Sequence, residues 1–340
     1  MSHSILSLTD IHKSFDQFQV LQKINLNVQD GEILALLGHS GCGKTTLLRM
    51  IAGFENLDKG SVSLHQKEVA TATSQVPPEK RRVGLVFQDY ALFPHLSVKQ
   101  NILFGVKDKS KHQSALEEVL DLLNLRGQEN KMPSELSGGQ QQRVAIARAL
   151  APKPEVLLLD EPFSNLDTFL RRGVRLQLKQ ILKKAGVTTI LVTHDQEEAF
   201  QFADRIAVME KGEILQCASA EELYLKPANI AVASFLGNSQ FIDVTVNGET
   251  IHSAFGQFKQ KTEIQGKAKL LIRPESFDIE VCEQGEATII SSHFNGGAYH
   301  YQVQANEQTI LLDGPLQNKL DVGTKVKLNV HHKLILFPEN

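Results

Sequence analysis

Five short apolar runs, rich in Val, Ile and Leu, stand out in the first two thirds of the chain. They occupy residues 33–37, 83–87, 156–159, 189–192 and 206–209. Because their apolarity is continuous rather than alternating, we expect strands buried on both faces, as in a parallel sheet covered by helices. Helical stretches are predicted between them, at 45–52, 114–123, 139–150 and 168–184. This alternation predicts an α/β fold.

The pattern differs at the two ends of the chain. Residues 6–28 contain alternating short runs before a turn at Gly31, which predicts a small antiparallel sheet at the edge, and 219–235 predicts helix broken near Pro227. Beyond about Gly237 we expect short strands separated by turn residues, at 244–246, 268–272, 287–291, 300–303, 309–312 and 325–330. The boundary is placed near 236–241, giving an α/β domain at 1–236 and a β-rich domain at 241–340.

Composition narrows the function classes. The chain has 340 residues, 41% hydrophobic and 22% charged, which suits two ordinary globular domains. A net charge of −3 gives no support to a nucleic-acid partner. Three cysteines spaced far apart suit a reducing compartment. We see no export signal at the N-terminus and no apolar run near the roughly 20 residues that span a bilayer. Any work at a membrane is therefore expected to be peripheral.

A phosphate-binding loop follows the first apolar run. Residues 38–46, Gly-His-Ser-Gly-Cys-Gly-Lys-Thr-Thr, fit the pattern G-x-x-x-x-G-K-[ST] between a predicted strand and a predicted helix. Glycines let backbone N–H groups turn around a polyphosphate, and the helix N-terminus adds its positive dipole. The alternative, a glycine turn with an ordinary surface lysine, does not explain this context. Contacts to ATP are expected from Gly38, His39, Ser40, Gly41, Cys42, Gly43, Lys44, Thr45 and Thr46.

Two adjacent carboxylates end the third apolar run. Asp160 is the expected partner of Mg²⁺, together with the Thr45 hydroxyl, and Glu161 is then free to polarise the attacking water. Ligands of α/β sheets bind at the carboxyl ends of the strands, where these residues lie. The alternative is an acidic pair that caps a helix, which is common after strands. The phosphate loop favours the catalytic interpretation.

Two further strand ends carry polar side chains that could reach the same edge. His194 follows the fourth run and is expected beside Glu161, and Gln88 follows the second run, where its amide could contact Mg²⁺ or the water. A lone histidine at a strand end is more often structural, and a glutamine by itself is uninformative. Their placement at this edge makes both catalytic candidates.

The segment 136–150, Leu-Ser-Gly-Gly-Gln followed by Gln-Gln-Arg-Val-Ala-Ile-Ala-Arg-Ala-Leu, resembles the signature of ABC ATPases. The phosphate loop, Asp160–Glu161 and His194 follow in the family's order, so the resemblance covers about 5–240. It implies a P-loop NTPase fold with an antiparallel β edge and a helical subdomain. It also implies that Phe15 stacks on adenine and that Asp167 lies in a loop facing a partner subunit.

The resemblance also implies how the site is completed. Ser137, Gly138, Gly139 and Gln140 open a helix and could bind an anion, yet the chain has one phosphate loop and one such segment, and 93 residues separate Lys44 from Ser137. In the family two copies meet head to tail, and each signature caps the γ-phosphate held by the other copy. The partners implied are a second copy and transmembrane permease subunits. The alternative for Ser137 is a plain serine N-cap.

Other segments resemble bacterial importers served by a periplasmic binding protein. These are 87–95, 161–167 and 193–199, and within them Phe-Ser-Asn-Leu-Asp at 163–167 is similar to ferric-iron uptake ATPases. Residues 271–275, Leu-Ile-Arg-Pro-Glu, resemble the small OB-like (TOBE-type) domain of importer ATPases. Ferric iron is the expected cargo, with polyamine, phosphonate, sulfate or sugar as alternatives. The expected location is the cytoplasmic face of the bacterial inner membrane.

Two rival classes remain to be weighed. A soluble ABC protein acting on nucleic acid would carry long coiled coils between phosphate loop and signature, or two cassettes per chain, and neither is found. A non-hydrolysing regulatory module should lack Glu161 or His194, and both are present. The apolar loop after Gln88, with Tyr90 and Phe93, is either local core or a groove for a transmembrane subunit.

Overall fold

The computed structural model describes residues 4–166, 168–314, 316–317 and 319–339. The chain divides into two compact units, Met1–Glu222 and Leu223–Asn340. No helix among the described residues combines the length and apolarity that crossing a membrane requires.

The first unit is built from strands and helices in alternation. Its strands are β1 (Ser4–Phe15), β2 (Phe18–Gln29), β3 (Ile33–Gly38), β4 (Lys59–Leu64), β5 (Lys67–Thr71), β6 (Val83–Val86), β7 (Val156–Asp160), β8 (Thr188–Thr193), β9 (Arg205–Glu210) and β10 (Glu213–Ala218). Its helices are α1 (Lys44–Ala52), α2 (Val98–Leu103), α3 (His112–Leu122), α4 (Gly138–Leu150), α5 (Thr168–Ala185) and α6 (Gln196–Phe202), and α7 (Ala220–Leu225) follows at its end.

The central sheet of this unit has the strand order β10-β9-β3-β8-β7-β6. The five apolar runs of the sequence form β9, β3, β8, β7 and β6, which pair in parallel, while β10 pairs antiparallel to β9. All six residues of β3 and of β8 are buried, as expected for central strands covered on both faces. The predicted α/β fold is confirmed.

A second, antiparallel sheet has the order β2-β1-β4-β5. The first two strands confirm the edge sheet predicted from 6–28. Leu6 and Leu8 of β1 and Val62 of β4 are buried, because alternate residues along an antiparallel strand face the core. Strands β4, β5 and β10 were not predicted, since their runs are short and rich in polar residues.

The second unit contains two antiparallel sheets after the helix α8 (Ile230–Phe235). One has the order β13-β12-β11-β14-β20 and the other β15-β19-β16-β17-β18. Their bounds are β11 (Gln240–Asn247), β12 (Thr250–Ser253), β13 (Gly256–Lys259), β14 (Gly266–Ile272), β15 (Phe277–Val281), β16 (Ala287–Phe294), β17 (Tyr299–Ala305), β18 (Gln308–Gly314), β19 (Lys325–Val330) and β20 (Ile335–Pro338). The β-rich character predicted for this region is confirmed.

The inner faces of these two sheets form one apolar core. Ile251, Leu270, Ile289, Tyr301 and Leu312 are fully buried within it. Along β11 the buried positions alternate with exposed ones, Ile242, Val244 and Val246 facing inward. Such alternation is the ordinary pattern of antiparallel strands that cover a core on one face.

The division after Glu222 assigns α8 to the second unit. Ala233 of α8 is buried against Leu271 of β14 and Phe337 of β20, so this helix packs on the first of the two β-sheets. The sequence-based domain ranges, 1–236 and 241–340, stay a prediction; the contacts place the helical segment before the boundary with the strands that follow it.

Candidate nucleotide site

The phosphate loop joins β3 to α1 and lies close to the surrounding backbone. A Cβ on Gly38 would lie 2.4 Å from the carbonyl oxygen of Met209, and one on Gly43 would lie 2.6 Å from a methyl of Leu21. Gly43 also has φ of +103°, a conformation that L side chains rarely adopt. Neither position can carry a side chain without displacing its neighbours, so the fold requires glycine at both.

Lys44 is folded back over this loop. Its Nζ donates hydrogen bonds to the carbonyl oxygens of Gly38, at 2.7 Å, and of His39, at 2.9 Å. The side chain is only 5% exposed, although it begins a helix at the surface. An ammonium held at the loop predicted to cradle a phosphate is in position to contact an anion bound there.

The hydroxyl of Thr45 lies beside the end of β7. Its Oγ1 donates to Asp160 Oδ1 at 3.3 Å. Burial raises the pKa of the Asp160 carboxyl, with the nearby charge of Glu161 acting in the same direction and the Thr45 hydrogen bond opposing it. A half-buried carboxylate next to a hydroxyl is a hard oxygen pair that suits Mg²⁺, which binds proteins through few such ligands. These two residues therefore fit the predicted metal.

The catalytic candidates converge on Glu161. Its Oε1 lies 3.1 Å from Nδ1 of His194, and its Oε2 accepts a hydrogen bond of 3.5 Å from Nε2 of Gln88. The backbone of Glu161 has φ of 44°, and its N–H donates to the carbonyl of Val192 at 3.0 Å. A non-glycine residue in the left-handed region is unusual and is held here by the neighbouring strand β8.

The sheet topology explains this convergence. Gln88, Glu161 and His194 follow β6, β7 and β8, which are adjacent parallel strands in register, with Val86 opposite Leu159 and Asp160 opposite Val192. Parallel strands bring their carboxyl ends to one edge, so three side chains more than thirty residues apart in sequence meet there. The sequence predicted this meeting for all three residues.

A buried ion network supports the loop that carries His194. Arg175 of α5 is 4% exposed, and its Nη2 contacts Asp195 at 3.2 Å and Glu198 at 3.3 Å. Glu198 also accepts from the Thr193 hydroxyl at 2.5 Å, and Asp195 caps α6. Burial raises the pKa of Glu198, which Thr193 and Arg175 oppose. Sequence reasoning missed this network because Arg175 has no motif spacing to the histidine.

The signature segment begins α4 and is open to solvent. Ser137 is the N-cap and forms a reciprocal capping box with Gln140: its N–H donates to Gln140 Oε1 at 2.9 Å, and its Oγ accepts from the Gln140 N–H at 3.4 Å. Ser137 and Gly138 are exposed. Among the described residues, no hydrogen bond joins Ser137–Gln140 to the phosphate loop of the same chain.

Helix α4 is nevertheless joined by hydrogen bonds to the segments that follow β6 and β7. The fully buried Gln142 donates to the carbonyl of Pro162 at 2.9 Å, and Arg148 donates to the carbonyls of Tyr90 and Ala91 at 2.9 and 2.6 Å. Asn165 donates to the carbonyl of Gln88 at 2.8 Å. Asp167, predicted to face a partner, lies outside the described residues.

Two aromatic side chains, Phe15 and Phe18, lie on either side of the turn between β1 and β2. The stacking of Phe15 on adenine stays a prediction. Phe15, predicted to stack on adenine, ends β1 with 45% of its surface exposed and has the Nζ of Lys13 at 4.8 Å from its ring centre. Phe18, which begins β2, is 70% exposed and lines a cavity of about 430 Å³ together with His39, Ser40 and Gly41. Sequence reasoning did not select Phe18, because this residue belongs to no motif.

Arg81 is a further residue that sequence reasoning missed. Its guanidinium is 2% exposed and donates to the carbonyls of Val76 (2.7 Å), Met50 (2.7 Å), Ile51 (2.9 Å) and Val69 (3.3 Å). Met50 and Ile51 end α1, so Arg81 satisfies the last carbonyls of the helix that begins at the phosphate loop. Burial lowers its pKa from the ordinary arginine value.

Comparison with known proteins agrees with this geometry. Residues 21–164 match the family model described as ABC transporter. The chain is 40% identical to a spermidine/putrescine import ATP-binding protein (PotA) of Clostridium novyi, covering 100% of this chain and 97% of the relative. It is also 40% identical to an Fe(3+) ions import ATP-binding protein (FbpC) of Fusobacterium nucleatum, covering 98% and 94%.

A solved structure shares the fold of the first part of the chain. The cbiO1 protein of Clostridium perfringens, described as part of the ABC transporter complex cbiONQ, matches with a TM-score of 0.60 and 29% identity over 66% of this chain and 91% of that one. The phosphate loop, the paired carboxylates, the histidine and the signature helix occur together in one ABC ATPase fold. The similarity to the two import ATP-binding proteins extends over nearly their full length. The chain therefore belongs to the ABC transporter ATP-binding family.

Proposed function

We propose that this chain hydrolyses ATP and thereby energises an ABC importer. The observation that carries the proposal is the cluster around Glu161, whose two carboxylate oxygens lie 3.1 Å from His194 Nδ1 and 3.5 Å from Gln88 Nε2. A carboxylate held between an imidazole and an amide, next to a phosphate loop, is arranged to take a proton from water attacking a phosphoryl group.

Each residue has a distinct task in this proposal. Lys44 and the backbone of 38–46 bind the phosphates, and Glu161 accepts the proton of the attacking water. His194 orients Glu161 and neutralises negative charge that develops beside it. Gln88 links the Glu161 carboxylate to the loop that follows Gln88 in the sequence. Thr45 and Asp160 would hold Mg²⁺, which when bound supplies electrostatic stabilisation to the phosphate oxygens.

We further propose that the working unit is a homodimer, since Ser137 and Gly138 are exposed and make no hydrogen bond to their own phosphate loop among the described residues. The N-terminus of α4 would then complete the site of a second copy, as an arginine finger does in trans. Mixing two inactive variants, Lys44→Ala and Ser137→Arg, tests this.

In a mixed dimer one site combines both defects, and the other has an intact phosphate loop and an intact signature. We expect mixing to restore part of the ATPase activity, while either variant mixed with itself stays inactive. A Ser134→Arg variant, altered at an exposed serine just before the signature, serves as the control for adding bulk and charge. If mixing restores nothing, the site is completed within one chain and the dimer proposal fails.

The loop from Asp89 to Ser97 is the proposed contact for a transmembrane permease subunit at the cytoplasmic face of the membrane. Tyr90 is buried and belongs to the local core, whereas Phe93 is half-buried and stacks on Phe104 at 4.3 Å, and Phe104 is 64% exposed. The half-buried Phe93 of this loop and the exposed Phe104, which follows α2, fit one side of a groove for a short partner helix.

Ferric iron delivered by a periplasmic binding protein is the proposed cargo, supported by the sequence resemblance and by the relatives named for Fe(3+) import. Spermidine or putrescine is the second candidate, supported by relatives of equal identity named for polyamine import. Uptake of radiolabelled ferric iron and of radiolabelled spermidine, in cells lacking the chain and in cells complemented with it, separates them. Restored spermidine uptake with unchanged iron uptake would overturn the iron proposal.

A further inference from the structure

A large cavity lies in the second unit. Its volume is about 1080 Å³, the upper end of the range usual for small-molecule sites. It is lined by residues 224–226 at the end of α7, by the segment between β13 and β14, by the end of β14 and the turn that follows it, and by residues before and within β20. None of the residues selected from the sequence for nucleotide chemistry lines it.

The wall of this cavity contains a buried arginine. Arg273 is 4% exposed and stacks on Tyr224, with its guanidinium carbon 3.4 Å from the ring centre. Its Nη1 donates to the carbonyl of Tyr224 at 2.8 Å. Within the part of the chain that the structure describes, neither its Nε nor its Nη2 has a hydrogen-bond partner. Buried donors without a partner are uncommon, and in a charged group they are costly.

The charge around the cavity is positive. Lys226, Lys261 and Lys333 line it together with Arg273, against the two carboxylates Glu263 and Glu275. Glu275 accepts a hydrogen bond from the Tyr224 hydroxyl, so part of the acceptor capacity of this carboxylate is used. Lys261 and Lys333 are exposed and make no ion pair among the described residues. Four cations and two anions leave a net charge of about +2 facing the space.

The remaining lining has two chemical characters. Leu225, Ile264 and Leu336 offer apolar surface, and Thr262, Ser276 and Gln260 offer polar groups. Gln260 is held in place because its amide donates to the carbonyl of Leu334 at 2.8 Å and accepts from the Leu334 N–H at 2.7 Å. A pocket lined by both cations and aliphatic side chains matches a ligand with a charged head and an apolar body.

We propose that this cavity binds a small organic anion whose carboxylate or phosphate is held by Arg273 with Lys261 and Lys333, and whose apolar part contacts Ile264 and Leu336. The planar guanidinium presents parallel N–H donors that suit an oxyanion, and the two exposed lysines add positive charge.

Titration calorimetry on the full chain tests the proposal, with ADP and Mg²⁺ saturating so that the phosphate loop is occupied. The probes are phenyl phosphate, inorganic phosphate and phenol. We expect phenyl phosphate to bind about tenfold more tightly than inorganic phosphate, because its ring buries apolar surface, and phenol to bind undetectably. Inorganic phosphate binding as tightly as phenyl phosphate would contradict the apolar contact.

Variants then assign the binding to this cavity. Lys333→Gln and Lys261→Gln are expected to weaken phenyl phosphate about tenfold each, and Lys327→Gln, an exposed lysine of β19 outside the cavity, to leave it unchanged. Arg273→Lys keeps the charge but removes the fork, and should abolish binding while the chain still unfolds cooperatively. If phenyl phosphate does not bind at millimolar concentration, or binds all of these variants equally, Arg273 only stacks on Tyr224 and the proposal is wrong.

Discussion

The two units of this chain bring polar side chains together by different routes. In the first unit, adjacent parallel strands end at the same edge, so Gln88, Glu161 and His194 meet although they follow three different strands. In the second unit the strands are antiparallel, and their ends lie at both edges of each sheet. There Arg273 and Tyr224 instead stack on each other in the wall of a cavity.

This difference decides what sequence reasoning can find. In a parallel sheet the carboxyl ends of neighbouring strands lie at one edge, where ligands bind. A polar residue after each buried run is therefore already a candidate site residue. An antiparallel unit follows no such rule, and its candidate residues are recognised only by burial and by missing partners. We therefore expect substitutions in the two units to differ in their effects on activity and on stability.

The largest effect is expected at Glu161. Glu161→Gln keeps the shape but removes the group that accepts a proton, so turnover should fall by about 10²- to 10⁴-fold. Binding of ATP, followed by a fluorescent analogue, should remain within about threefold, because Lys44 and the loop backbone are untouched. Glu213→Gln, an exposed carboxylate at the start of β10, is the matched control and should turn over normally. Undiminished turnover of Glu161→Gln would remove the residue from its role.

Arg81 shows that part of the first unit's stability also depends on a side chain without a motif. Arg81→Met removes the guanidinium that donates to four carbonyls, of which those of Met50 and Val69 keep a backbone donor, and should reduce the free energy of unfolding by about 3 kcal/mol. Calorimetry with and without ADP identifies the transition that belongs to this unit. The neighbouring Arg82, whose side chain is 66% exposed in its pair with Glu155, provides Arg82→Met as a control, expected to cost below about 1 kcal/mol.

Asn101 tests the loop proposed to contact a permease. Its fully buried amide accepts from the Phe93 N–H and donates to the carbonyls of Phe93, Leu96 and Ser97. Asn101→Asp keeps the acceptor and removes the donors, and should lower stability by about 1 to 2 kcal/mol. We expect transport to fall more than the ATPase activity of the isolated chain. Asn124→Asp, at an exposed position, is the control; equal loss of both activities would argue against a coupling role.

The smallest effect concerns the second unit and depends on pH. Burial, together with the hydrogen bond to Glu275, raises the pKa of Tyr224 to about 12. Because an unfolded tyrosine titrates near 10, the folded chain keeps this proton longer. Its contribution to stability is therefore complete below about pH 10 and is lost as the pH rises through 12.

Tyr224→Phe should consequently cost about 1 kcal/mol at neutral pH and progressively less as the pH rises through 12. Urea unfolding at steps of pH measures the difference, and ultraviolet difference spectra of tyrosinate follow the titration directly. A cost that stays constant with pH would show that packing, not the hydroxyl, is what the substitution removes.

Much of the first unit was predictable because its information is local. Continuous apolar runs gave the five parallel strands, and the loop 38–46 and the signature 137–140 are spaced motifs whose chemistry follows from residue type. The antiparallel edge was only half predicted, since β4 and β5 contain few apolar residues. In the second unit β12, β13 and β15 were missed, because polar residues separate their few apolar ones, and β20, of four residues, was missed as well.

By itself, then, the sequence determined the α/β class, the phosphate loop and the residues expected at the carboxyl edge, because periodicity and spacing are properties of neighbours along the chain. Tertiary structure alone decided that Arg81 would cap α1, that Arg175 would support the His194 loop, and that Arg273 would lie buried beside a cavity. The physical reason is that the tertiary fold decides which groups lie within hydrogen-bond distance of a guanidinium. An arginine that looks like any surface cation in the sequence becomes a structural or binding group only once the chain has removed it from water.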